Sequence, residues 1–142
     1  MRTNRVNLAL SIGLLIVAGL ACNYSATTAN ISDLKLSKDK DGNQSTATFA
    51  ASDTVYAVAT VSNAPGKVKV KGQLAIESVE GEQPGPISGL EKTLELDGSG
   101  TATFTFTPPT AGWPKGKYKV EVTMMDDSGQ QKDQKSASFS TS

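Results

Sequence analysis

From Ile31 onward, apolar side chains recur at every second position instead of at helical spacing. That period puts one face of a β-strand against a core and the other toward water. The clearest run is Thr101-Ala-Thr-Phe-Thr-Phe106, with Ala102, Phe104 and Phe106 on one side and Thr101, Thr103 and Thr105 on the other. Gly116–Met124 repeats the pattern with Tyr118, Val120, Val122 and Met124 inward, and Lys67–Ile76 repeats it with Val68, Val70, Leu74 and Ile76 inward. Thr54–Val61 is apolar on both faces and predicts a central strand. Weaker alternation predicts strands at Ile31–Leu36, Thr46–Phe49, Leu90–Leu96 and Lys135–Ser140. Asp41-Gly42, Pro65-Gly66, Asp97-Gly98-Ser99-Gly100 and Asp126-Asp127-Ser128-Gly129 supply turn chemistry between them.

Short strands with regular turn signals predict an all-β fold: a single immunoglobulin-like β-sandwich of about seven antiparallel strands over residues 31–142. The segment Trp113-Pro-Lys-Gly-Lys-Tyr-Lys-Val120, preceded by Asp97–Phe106, resembles bacterial immunoglobulin-like modules and is similar to macroglobulin-type sandwich domains. Asp53-Thr-Val-Tyr56 and Asn63-Ala64-Pro65, at the two ends of the apolar strand, add to the likeness. It implies a tyrosine corner, with the Tyr118 ring in the core and its hydroxyl on nearby backbone, and Trp113 capping the core. The competing reading makes Trp113 an exposed platform for a sugar. Folds of this kind host many functions, so the resemblance speaks to architecture.

The first 21 residues follow a different rule. Met1–Asn7 carry Arg2 and Arg5 and no acid, and residues 8–21 are almost wholly apolar. A basic segment followed by an apolar run too short to span a bilayer comfortably is the layout of a signal peptide, here a helix removed on export. The junction Val17-Ala18-Gly19-Leu20-Ala21-Cys22 resembles the lipobox of bacterial lipoproteins, although Gly19 stands where that family usually has leucine. Gly19 and Ala21 also suit ordinary signal peptidase, which selects small residues. The lipobox reading implies that Cys22 becomes the lipid-bearing first residue, with acyl chains holding the protein on the membrane. Residues 22–30 then form the lipidated cysteine and a flexible tether. Asn23 follows the cysteine in place of the aspartate linked to inner-membrane retention in some Gram-negative lipoproteins, which implies the outer membrane in a cell of that type.

Composition removes several function classes. Cys22 is the only cysteine and histidine is absent, so neither a disulfide within the chain nor a Cys/His zinc site can form. A serine nucleophile lacks its usual base. From residue 22 onward, 12 lysines face 14 acids, a net charge of −2 with no arginine, which gives no general case for nucleic acid. The acidic pairs Asp126-Asp127 and Glu80 with Glu82 fall in turn-like stretches and read as solvated charges. Asp39-Lys-Asp41-Gly42-Asn43 has the oxygen-rich look of a calcium loop, but the glycine comes too early and no bidentate glutamate follows at the right distance, so a polar turn is expected. Gly81-Glu82-Gln83 is similar to the macroglobulin thioester motif, but Glu80 stands where that chemistry needs cysteine. The expectation is a non-enzyme with no metal or cofactor.

One surface pattern stands out. Lys67, Lys69 and Lys71 alternate outward on one strand, and Lys117 and Lys119 on another. In an immunoglobulin-like order these strands are sheet neighbours, which gives a possible face for an anionic partner, with Glu91 and Glu95 expected on the opposite sheet beside the threonine row. The plainer account is that the lysines keep an exposed sheet soluble and discourage edge pairing. The expected function is a lipid-anchored cell-envelope protein presenting its domain to an unidentified envelope protein or for structural support. The alternative is a carbohydrate- or anionic-polymer-binding module on the same anchor.

Overall fold

The computed structural model describes residues 29–142. The signal segment, Cys22 and most of the tether lie outside the described residues. The described chain forms eight strands: β1 (Asn30–Ser37), β2 (Thr48–Phe49), β3 (Val55–Ser62), β4 (Val68–Val79), β5 (Gly85–Leu96), β6 (Gly100–Phe106), β7 (Gly116–Asp126) and β8 (Gln131–Thr141). They pack as a two-sheet sandwich, with strand order β1-β3-β6 in one sheet and β2-β8-β7-β4-β5 in the other. All pairings are antiparallel except β2 with β8, which is parallel.

Alternation sorts the side chains as expected. Ala102, Phe104 and Phe106 are buried on β6, and Tyr118, Val120, Val122 and Met124 are buried on β7. β3 is the middle strand of its sheet, in accord with its apolar character on both faces. Ile76 differs from expectation: it is half-buried, and β4 slips register against β7 just beyond it, between Ile76 and Ser78.

The strand count exceeds about seven because the first strand crosses from one sheet to the other. β1 pairs with β3, the chain turns at Lys38–Ala47, and the two residues of β2 then pair with β8. Asp39 organises that turn by accepting hydrogen bonds from the Ser37 hydroxyl, Asn43 N and Gln44 N at 2.5, 3.1 and 2.7 Å. Its oxygens therefore cap the turn, as the polar-turn reading expects.

The two sheets approach closely where β4 faces β6. Gly72 lies in the middle of β4, and the Phe104 ring lies directly on it. A Cβ at Gly72 would stand 2.7 Å from two ring carbons of Phe104. Replacement of Gly72 by alanine forces that ring to move, and overpacking of a filled core costs about 1–3 kcal/mol. In urea unfolding, Gly72→Ala should lower the midpoint with little change in slope, and Phe104→Leu in the same chain should return part of the loss. A neutral Gly72→Ala would contradict the close approach.

Candidate functional site

Trp113 and Tyr118 form a corner that joins the sheets at one end of the sandwich. The Trp113 backbone N–H donates to Ala51 O at 2.9 Å, and its indole N–H donates to Asp53 O at 2.8 Å, so the link between β6 and β7 is pinned to the segment that enters β3. The Tyr118 hydroxyl donates to Pro114 O, four residues upstream. The Thr141 hydroxyl donates to the same carbonyl at 2.8 Å, and Gly116 N donates to Thr141 Oγ1 at 3.2 Å. Burial, and next the nearby Glu82 carboxylate, hold the Tyr118 hydroxyl above its ordinary pKa. It therefore stays a donor across the working range of pH. Glycine at 116 has a steric reason: its φ is +155°, and a Cβ there would fall 2.5 Å from Ser78 O.

Rings continue the corner into the core. Trp113 meets Tyr118 edge-on at 6.0 Å, Tyr118 stacks on Phe139 at 5.2 Å, and Phe139 meets Phe49 edge-on at 5.2 Å. Trp113 is 4% exposed, so its indole caps the core and offers no platform to a sugar.

Beside this corner lies an apolar cleft of about 190 Å³. Ile76, Ile87, Leu90, Pro109, Trp113 and Tyr118 line it, Ile76 and Tyr118 being paired across β4 and β7, with Glu82 the one acid among its lining residues. The wall exists because β5 arches away from β4. Gln73 pairs with Glu91 while Ala75 pairs with Pro86, so the segment between Pro86 and Glu91 leaves the ladder. The Gln73 side-chain amide supports this arch, donating to Leu74 O, Ile87 O and Leu90 O at 2.9, 3.2 and 3.2 Å. Alternation did not reveal the arch. Its signal is Gly85 and Gly89, which adopt φ of +136° and +83°.

The strand edges differ sharply. β1 carries a register shift between Ile31 and Asp33 and the charges Asp33 and Lys35. β2 is two residues long. β5 carries its arch, Pro86, Glu91, Lys92 and Glu95. β6 has none of these defences: Gly100–Phe106 holds no charge and no proline, and it pairs with β3 without a shift. Its outward row is Thr101, Thr103 and Thr105, next to Tyr56, Val58 and Thr60 of β3. Proline, charge and bulges on edge strands are the usual means of blocking added strands.

Lys69, Lys71, Lys117 and Lys119 share the outer face of the five-stranded sheet but form two groups, while Lys67, expected on the same strand, lies just before β4. Lys71 is opposite Thr123 and Lys119 is opposite Ala75, four positions apart in the β4–β7 register. At strand rise this is about 13 Å. Lys69 is opposite Glu95, Lys71 Nζ lies 3.4 Å from Glu91, and Lys119 Nζ lies 3.1 Å from Glu121. Lys67 lines a shallow depression with Asp126 and Asp127, and Lys117 lines another with Glu77. The expected placement of Glu91 and Glu95 on the opposite sheet is corrected: β5 forms a hairpin with β4, which sets both acids among the lysines. The face is a checkerboard of both signs.

No protein-family model matches the chain, and no characterised protein matches it by sequence. Solved structures do resemble it. A Niemann-Pick type C2 protein from Japanese carpenter ant superposes with a TM-score of 0.50 at 11% identity, over 80% of this chain and 92% of that one. A family 76 glycoside hydrolase from a bovine Bacteroides thetaiotaomicron strain superposes with a TM-score of 0.46 at 14% identity, over 78% of this chain, which spans 20% of that protein. The PmoD soluble domain from Methylocystis sp. gives 0.45 at 15% identity, over 77% and 89% of the two chains. At such identities the likeness to the ant protein is one of fold alone.

Two turns carry acids held below the ordinary carboxylate range. Asp39 is lowered chiefly by the Ser37 hydroxyl and then by Gln44 N. Asp126 is lowered chiefly by the Ser128 hydroxyl, at 2.7 Å, and then by Gln130 N, with the Lys132 ammonium contributing. A depressed native pKa adds stability that is present above the unfolded-state value and disappears as pH falls through the native one. Stability should therefore decline from about pH 5 toward about pH 2. Asp39→Asn with Asp126→Asn should flatten that decline in thermal melts across the range, and an unchanged slope would contradict the assignment.

Proposed function

We propose that this chain is a non-enzymatic, lipid-anchored protein of the bacterial cell envelope that presents an immunoglobulin-like domain to a partner protein through the open edge of β6. The single observation that carries the reading is the contrast between edges: three are blocked by charge, proline, bulge or shortness, and one is clean. Such an edge offers unpaired backbone groups to an incoming strand, with alternate side chains giving specificity.

Other features agree with this reading. The strand order β1-β3-β6 against β2-β8-β7-β4-β5, with the first strand shared between sheets, has the pattern of an immunoglobulin-like sandwich. The Tyr118 hydroxyl on Pro114 O has the form of a tyrosine corner. The signal-like residues 1–21 and the lipobox-like approach to Cys22 support export and acylation, to the outer membrane in a Gram-negative cell. An acyl anchor confines the domain to a surface, which raises the effective concentration for weak edge pairing with another envelope protein. Against catalysis by a serine nucleophile stands the lack of histidine, its usual base.

A photocrosslinking side chain placed at Thr103, on β6, should yield a discrete adduct in the membrane fraction of the native host. The same group at Thr123, on the outer face of the other sheet, should not. Thr101→Lys with Thr105→Lys should cut the Thr103 adduct by about tenfold or more, since edge lysines oppose strand addition. Mass spectrometry of the purified protein should find an acylated peptide that begins at Cys22. Equal labelling from both sheets, or an unmodified N-terminus at or after Cys22, would overturn the proposal.

A further inference from the structure

The apolar cleft beneath the β5 arch adds a chemical requirement to this picture. We infer that it receives one ring-sized apolar side chain of a partner polypeptide, carried next to a basic side chain that pairs with Glu82. This inference rests on the proposed pairing of a partner strand with β6.

Size selects the guest. The cleft is about 190 Å³. Sites for whole small molecules run from about 300 Å³ upward, whereas an apolar cavity of about 150 Å³ accepts a benzene ring. This cleft therefore fits a single aromatic or branched aliphatic side chain. Its walls have little hydrogen bonding to offer such a guest, because the Trp113 indole N–H is committed to Asp53 O and the Tyr118 hydroxyl to Pro114 O. Burial of a ring-sized group against such walls is how a few anchor residues dominate an interface.

Charge selects the neighbour. Glu82 is the one ionisable carboxylate among the lining residues, and none of them is basic. Glu82 is exposed at the cleft's rim, and after burial its charge is the next cause that holds the Tyr118 hydroxyl above its ordinary pKa, so its field reaches the cleft's wall. A cation beside the guest gains from Glu82, and an anion there is repelled.

Position links the cleft to the strand edge. Leu90 lines it and also lines a second, shallower recess of about 130 Å³ with Thr105 and Phe106 at the end of β6. Pro109, three residues beyond Phe106, forms part of the cleft's wall. A strand added along β6 toward Phe106 therefore runs out over Leu90, where its next large side chain meets the opening. Gln73, by supporting the arch carbonyls of Ile87 and Leu90, keeps that opening in place.

The test uses the complete domain and blocked peptides of sequence Thr-Val-Thr-Val-Phe-Lys, read by Trp113 fluorescence and by NMR shifts of β6 and Leu90. The peptide should perturb both regions. Its Phe→Ala version should bind at least about tenfold more weakly, and its Lys→Glu version should also weaken. Glu82→Lys should reverse the preference, so that the glutamate peptide binds better than the lysine one. Equal binding of the phenylalanine and alanine peptides, an unchanged charge preference in Glu82→Lys, or no binding at all overturns the cleft assignment. The same data separate it from the edge proposal. Shifts on β6 that disappear on N-methylation of alternate peptide nitrogens and spare Leu90 and Trp113 overturn the cleft and leave the edge. Phenethylamine shifts at Leu90 and Trp113 that depend on Glu82, with no peptide contact on β6, support the cleft's chemistry and overturn the edge.

Discussion

The carbonyl of Pro114 holds this sandwich together where the chain passes from β6 of one sheet to β7 of the other. Two hydroxyls from different strands, Tyr118 on β7 and Thr141 on β8, converge on it, and Gly116 N in turn uses Thr141 Oγ1. The link that contains Pro114 must leave one sheet and enter the other, a path that exposes backbone groups to burial. An unpaired buried carbonyl costs roughly 1–3 kcal/mol, so the corner removes a liability as much as it adds a bond. Trp113, one residue earlier, ties the same link to Ala51 and Asp53 in the segment that enters β3. The Trp113–Tyr118–Phe139–Phe49 run of rings then fills the space behind it.

With that end closed, the sandwich can leave other parts open. Gly72 lets Phe104 lie against β4, which draws β6 close to the opposite sheet on its inner face. Among the described residues no strand is hydrogen-bonded to the outer flank of β6, and residues 89–92 of β5 border only its end at Thr105 and Phe106. On the other sheet, Gln73 satisfies the carbonyls of the β5 arch, so the arch persists without ladder bonds and keeps the apolar cleft from closing. Edge and cleft thus have separate causes in the sequence: an uncharged strand in one case, and a glycine-containing departure held by one amide in the other. They meet at Leu90.

Much of the fold was legible because strand alternation is a local signal. Ala102, Phe104 and Phe106, or Tyr118, Val120 and Val122, announce their inward face within a few residues, and the spacing from Trp113 to Tyr118 announces the corner. Pairing between strands is not local. Glu91 and Glu95 look the same whether β5 continues the β4 sheet or crosses to the other. The Gly81–Gly89 stretch reads as a long connection although part of it is strand. The same gap hid the candidate site. The cleft needs Ile76, Leu90, Pro109 and Trp113 to converge from four parts of the chain. The lysines were legible as an outward pattern, but the acids interleaved among them follow from register alone.

Native-state amide hydrogen exchange on the folded domain tests the central claim, that a locked corner coexists with an open strand. The account predicts that the amides of Trp113 and Gly116 exchange only with global unfolding, as do the central amides of β7. Alternate amides of Gly100–Phe106, those pointing away from β3, should exchange orders of magnitude faster, at the rates of locally exposed backbone. Uniform protection along β6 comparable to that of β7, or fast exchange at Trp113 and Gly116, would contradict it.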